Sequence, residues 1–98
     1  MGDIRFEWDP AKAAANARKH GVGFEEAATA FSDDFALVID DPDHSDQEDR
    51  LVLLGLSAMS RLLVVVHAVR PAKDVVRIIS ARKAVKAERV IYATRRQR

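Results

Sequence analysis

The chain has no cysteine, three prolines, four glycines and six aromatic residues among its 98 positions. Without cysteine there is neither a disulfide framework nor a thiolate metal site, so a hydrophobic core must hold the fold. Six scattered aromatics do not supply the stacking platforms that read single-stranded bases. No apolar run approaches the roughly 20 residues that span a bilayer, and Met1–Arg18 lacks the apolar centre of a signal peptide. A cytoplasmic protein with no membrane partner is expected. Positive charge is missing from Asp33–Asp49, which carries eight acidic residues and no Lys or Arg. The opposite holds for Arg70–Arg98, with ten Lys/Arg against Asp74 and Glu88, so a net charge of +1 conceals a segregation. A basic C-terminal third suits a polyanion or an acidic partner. The alternative is that the two segments neutralise one another within the fold.

What is present is 48% hydrophobic residues, enough for one small domain over residues 1–98. Ile4–Trp8 alternates as a short strand. Asp9-Pro10 opens a helix through Ala11–His20, with Asp as cap, Pro where its missing N–H costs nothing, and Gly21 as the stop. Lys19 and His20 suit the helix C-terminus. A second helix is expected over Phe24–Phe31, and a strand over Ala36–Ile39. Asp40–Asp49 reads as a polar loop. His44 among its carboxylates lacks the ordered spacing of a calcium loop, so no metal or other cofactor is expected. Arg50–Leu56, Leu62–Val69 and Val75–Ser80 read as three successive strands joined by short connections. Leu62–Val66 is apolar throughout, as in a strand covered on both faces. Strict alternation places His67 with Leu63, Val65 and Val69. It also projects Arg77 from a sheet face, where an arginine pairs with an acid or faces an open, phosphate-binding surface.

After Val75–Ser80 a helix is expected to start at once, with Ser80 as its cap. On a helix beginning at Ala81, one face holds Ala81, Ala84, Val85, Glu88, Ile91 and Tyr92. Arg82, Arg89 and Arg96 recur seven apart on a second line with Lys86 beside it, a basic ridge. A carboxylate at Glu88 on the apolar face has to be matched by a cation, with Arg77, Arg50 and Arg18 the candidates. The order β-α-α-β-β-β-β-α defines an α+β domain, a small antiparallel sheet with two N-terminal helices and one C-terminal helix.

Several stretches in this order resemble the BrnT-type toxin family. They are F-E-W-D-P-x-K at Phe6–Lys12, N-x-x-K-H-G at Asn16–Gly21 and F-E-E-A at Phe24–Ala27. E-x-R at Glu48–Arg50, L-V-V-V-H at Leu63–His67, R-I-I-S-A-R-K-A at Arg77–Ala84 and E-R-x-x-Y at Glu88–Tyr92 continue it. Gly23 stands where a capping Ser is expected, and Ala68 where a Thr is common. The resemblance implies a RelE/ParE-like fold and a metal-independent endoribonuclease that arrests translation. It further implies a BrnA-type antitoxin with a ribbon-helix-helix region, through which the complex holds operator DNA.

A metal-free ribonuclease needs a base for the ribose 2′-hydroxyl, cations for the phosphorane and an acid for the leaving oxygen. The expected catalytic set is Arg77 and Arg82 at the scissile phosphate, with His67 or His20 in proton transfer. Lys83, Lys86, Arg89 and Arg96 would bind RNA, and Glu88 and Tyr92 would orient neighbours. The antitoxin is expected to cover the Arg82–Arg89–Arg96 line. The rival functions are a toxin that blocks a protein target, as ParE-like relatives act on gyrase, and a non-catalytic nucleic-acid-binding module.

Overall fold

A computed structural model describes residues 4–41, 50–70 and 74–97. The elements are β1 (Arg5–Glu7), α1 (Pro10–His20), α2 (Phe24–Thr29), a 3₁₀ turn (Ala30–Ser32), β2 (Leu37–Asp40), β3 (Arg50–Leu56), β4 (Leu62–Arg70), β5 (Val75–Lys83) and α3 (Lys86–Arg96). The five strands form one sheet in the order β1-β5-β4-β3-β2. β2 to β5 are antiparallel neighbours, whereas β1 joins β5 in parallel, so the sheet is mixed rather than wholly antiparallel. The acidic loop after Asp41, with His44, and the Pro71–Lys73 connection lie outside the described residues.

α1 starts as its sequence dictates. The Asp9 carboxylate accepts the Ala11 N–H at 2.8 Å, and Gly21 ends the helix at φ 69, a left-handed conformation that glycine adopts without strain. α2 continues into the 3₁₀ turn, which shortens the helix expected to reach Phe31. β3 passes close to that turn at Gly55, where a Cβ would stand 2.9 Å from the Ala30 carbonyl oxygen.

The period of two in the strands divides the interior into two halves. Leu53, Leu63, Val65, Ile78 and Ala81 face α1 and α2, and close with Val22, Phe24 and Ala27 into the main core. Leu54, Leu62 and Val64 face the other way, where Tyr92 of α3 and Ala84 cover them.

The C-terminal boundary differs from expectation. Ala81–Lys83 are good helix formers, yet they continue β5 and pair with Leu63–Val65 of β4. Ser80 is therefore a strand residue and not a cap. The cap position is Val85, whose N–H donates to the Glu88 carboxylate at 2.8 Å, one half of a capping box. The supposed ridge divides accordingly: Arg82 is on the sheet, Arg89 and Arg96 on the helix.

Candidate active site on the open sheet face

α3 covers only part of its side of the sheet. Beyond it, register places Arg50 of β3, Ala68 of β4 and Arg77 of β5 in one row across three strands. Two strand spacings separate the arginines by about 10 Å, with only a methyl group between them. The next row holds Val52, Val66 and Ser80, and the one after it Leu54, Val64 and Arg82. β5 carries one extra residue here, because Ser80 pairs with Val66 and Ile78 with His67. That bulge brings Arg77, Ser80 and Arg82 onto the same face.

Arg77 is half-buried in a strand flanked by β1 and β4. Glu7 stands beside it in register, but that carboxylate pairs with Arg70 at 3.3 Å. The Arg77 side chain makes no hydrogen bond or ion pair among the described residues. Among the described residues, Arg77 therefore has no acidic partner.

Arg82 is held differently. Its two terminal nitrogens donate to the two Glu88 oxygens at 2.9 Å each, a fork that fixes the guanidinium plane. These hydrogen bonds hold the Glu88 carboxyl below its ordinary range against the opposing effect of burial, with the Val85 N–H helping, and they raise Arg82. Glu88 thus meets Arg82, and none of Arg77, Arg50 or Arg18. Nor is it deeply buried, with side chains 25% and 41% exposed for Glu88 and Arg82. A slot beside the pair is lined by Ser80, Asp41, Ile39, Val52, Val64 and Val66. Asp41 is buried, not part of a solvated loop.

The two histidines do not reach this face. His67 is 2% exposed on the opposite side, edge-on to Phe31 at 4.7 Å, with its Nδ1 donating to the Val65 carbonyl at 3.1 Å. Burial pushes its pKa down, so it is a neutral core histidine rather than a proton shuttle at a phosphate. His20 ends α1, which packs on that same opposite side. The cations are likewise divided. Lys83 alternates with Arg82 and leaves from the other face. Lys86 and Arg89 are exposed on α3, and Arg96 lies over the Phe35 ring at 5.2 Å.

Two polar anchors hold the frame. Tyr92 donates its hydroxyl to Asp33 at 2.6 Å, and Asp33 also accepts the Leu56 N–H at 2.8 Å. Burial and this bond push the tyrosine up to about 12. Burial would raise Asp33, but the bonds it accepts outweigh it and keep the carboxylate ionised. Tyr92 thereby ties α3 to the turn after α2. The second anchor, Asn16, is 8% exposed. It donates to the carbonyls of Ala81 at 2.8 Å and Val22 at 2.9 Å, and accepts the Ala81 N–H at 3.1 Å. β1 pairs only with Val75–Arg77. At Ala81 the Asn16 carboxamide takes the place of a neighbouring strand, one residue before Arg82. In the sequence Asn16 shows only as the first residue of N-x-x-K-H-G, a polar residue among the alanines of α1. Ser80 left a trace too, a hydroxyl in an apolar strand, which was read as a cap.

A mixed sheet with α1 and α2 on one side, and α3 over part of an arginine-bearing face on the other, defines a small α+β domain. The model of the family described as "Ribonuclease toxin, BrnT, of type II toxin-antitoxin system" matches residues 8–88, and the chain belongs to that family. The crystal structure of the Brucella abortus ribonuclease toxin BrnT shares the fold, with a TM-score of 0.64 and 24% identity over 86% of this chain and 100% of that one. No curated protein matches. No helix among the described residues is long and apolar enough to cross a membrane.

Proposed function

We propose that the chain is a cytoplasmic endoribonuclease that cuts RNA on the open sheet face without a metal, arrests translation, and is silenced by a BrnA-type antitoxin that also carries the pair to operator DNA. Arg77 is the observation that carries this reading. A half-buried guanidinium rooted in the sheet, without a carboxylate partner among the described residues, suits an anion that docks on this face. The ribose 2′-hydroxyl attacks phosphorus as its proton is removed, charge gathers on the non-bridging oxygens, and the 5′-oxygen leaves with a proton. Arg82, aimed by Glu88, stabilises that charge in a site already organised for it. Arg77 holds the chain about 16 Å further along β5, at ~3.3 Å per residue. Proton transfer falls to groups on this face, so His67 and His20 leave the catalytic set. Asp41 and Glu88 are the titratable groups lining the slot beside Arg82.

Purified protein is expected to cut single-stranded RNA in EDTA, and Arg77→Ala and Arg82→Ala to lose the cut while melting like wild type. Wild-type cleavage by both variants, or cleavage abolished by EDTA, would overturn the assignment. Binding should also weaken steeply between about 50 and 200 mM salt, through counterion release.

A further inference from the structure

We infer that the groove between β2 and α3 is the docking site of the antitoxin, filled by a segment that presents aliphatic side chains flanked by carboxylates. The inference rests on the reading of the chain as one half of a two-protein module. The groove encloses about 260 Å³ between Leu37, Ile39, Val52, Leu54, Val64 and Ile91, with Glu88 at one end. It continues past Leu37 and Ile91 along Val90, Thr94 and Arg95. Its rims are aliphatic side chains left in water: Ile39 is 62% exposed, Val90 59% and Ile91 53%. Such a cluster on a small domain marks a surface that another chain covers.

The lining chooses among occupants. Aliphatic walls give a nucleobase no ring to stack on, so the groove suits protein rather than RNA. A second copy docked groove to groove meets like charge, because α3 carries Lys86, Arg89, Arg95 and Arg96, while its one acid, Glu88, is taken by Arg82. An acidic, aliphatic segment satisfies both rim and floor. Ile39, Val52, Val64 and Glu88 border the Arg82 slot as well, so the groove opens directly onto the proposed cleavage site. A segment lying in it closes that slot, and a single contact accounts for silencing.

The test is the affinity of the antitoxin encoded beside this toxin, measured by calorimetry for wild type and for V90E/I91E. Neither position borders the Arg82 slot. The variant is expected to melt and cut RNA like wild type, to bind the antitoxin on the order of thirtyfold more weakly or worse, and to keep cutting in its presence. K86E/R89E, read by antitoxin binding alone, is expected to weaken it too, which keeps the proposal testable should V90E/I91E fail to fold. Unchanged affinity in both variants overturns the proposal. So does loss of RNA cleavage with antitoxin binding intact, which would make the groove an RNA subsite. A wild-type dimer that V90E/I91E dissociates, with antitoxin binding unchanged, overturns it in favour of a second copy. Wild type that binds the antitoxin but cuts no RNA defeats the ribonuclease reading alone, and the groove is then judged on binding.

Discussion

The two faces of the sheet are made by the same strands and behave as different materials. Toward α1 and α2, Leu53, Leu63, Val65, Ile78 and Ala81 are sealed, and even the polar side chains there, Asn16 and His67, are buried and satisfied. Toward α3 the intervening residues begin as core at Leu54, Leu62 and Val64 and end as Arg50, Ser80 and Arg77. One face supplies stability, and the other keeps charge within reach of solvent. Neighbouring positions on one strand therefore differ in what they do: Ala81 is fixed in the core while Arg82 works outside it.

The largest effect expected from this division is on the open face. Truncating a preorganised charge stabiliser costs about 10²–10³-fold in turnover. Arg82→Ala is expected to fall in that range and to change the melting free energy by only about 0–1 kcal/mol, as for an exposed pair. Arg82→Ala that unfolds would place the pair in the core and break the distinction. On the sealed face the proportions reverse. Asn16→Ala leaves the Ala81 N–H and two carbonyls buried without partners. That should cost about 2–5 kcal/mol at 1–3 kcal/mol per orphaned group, discounted for water entry. Cleavage should fall with it through β5, and a urea melt beside the RNA assay reads both.

Much of this division was legible in the sequence, and the misses have physical causes. Asp9-Pro10 and Gly21 bound α1 because capping is local chemistry. Arg50–Leu56 and Leu62–Val69 were legible as apolar runs of strand length joined by a short connection. Arg77 on a sheet face followed from alternation. The end of β5 was not legible, since the helix propensity of Ala81–Lys83 is overridden by the ladder to Leu63–Val65, a contact between distant residues. The same mistake gave Glu88 the wrong partners. His67 was placed on the correct side of β4, but alternation does not say which side is sealed.

His67 sharpens the comparison through pH. Its native pKa is depressed by burial, so the unfolded chain takes up a proton that the native protein refuses as pH falls below about 6.5. Stability should fall with pH from there down to its native value, by up to about 1.4 kcal/mol per pH unit. Glu26, Asp33 and Glu88 are shifted down. Their contribution is complete above their unfolded values and is lost only in a more acidic window. Denaturant melts between pH 7 and 5 should therefore slope in wild type and lie flat in His67→Leu. Equal slopes would put His67 in contact with water.

Glu88 shares with Arg82 a small expected stability effect, and it separates orientation from structure. Its helical position suggested a deeply buried carboxylate whose loss would cost about 3–5 kcal/mol. The observed pair with Arg82 is partly exposed, where water screens the attraction and such pairs contribute about 0–1 kcal/mol. Glu88→Gln keeps an acceptor for the Val85 N–H, since either side chain completes that half of a capping box. What it removes is the charge that holds the Arg82 fork. Its native pKa is depressed, so the pair's contribution is present above the unfolded carboxylate value of about 4.5 and fades as pH falls through the native one. At pH 7 the variant should melt within about 1 kcal/mol of wild type yet cut RNA several-fold more slowly, as expected for a loosened Arg82. A loss of several kcal/mol would return Glu88 to the core. Full activity with an unchanged melt would show that Arg82 finds its place without the clamp, and Glu88 would then be no more than a helix cap.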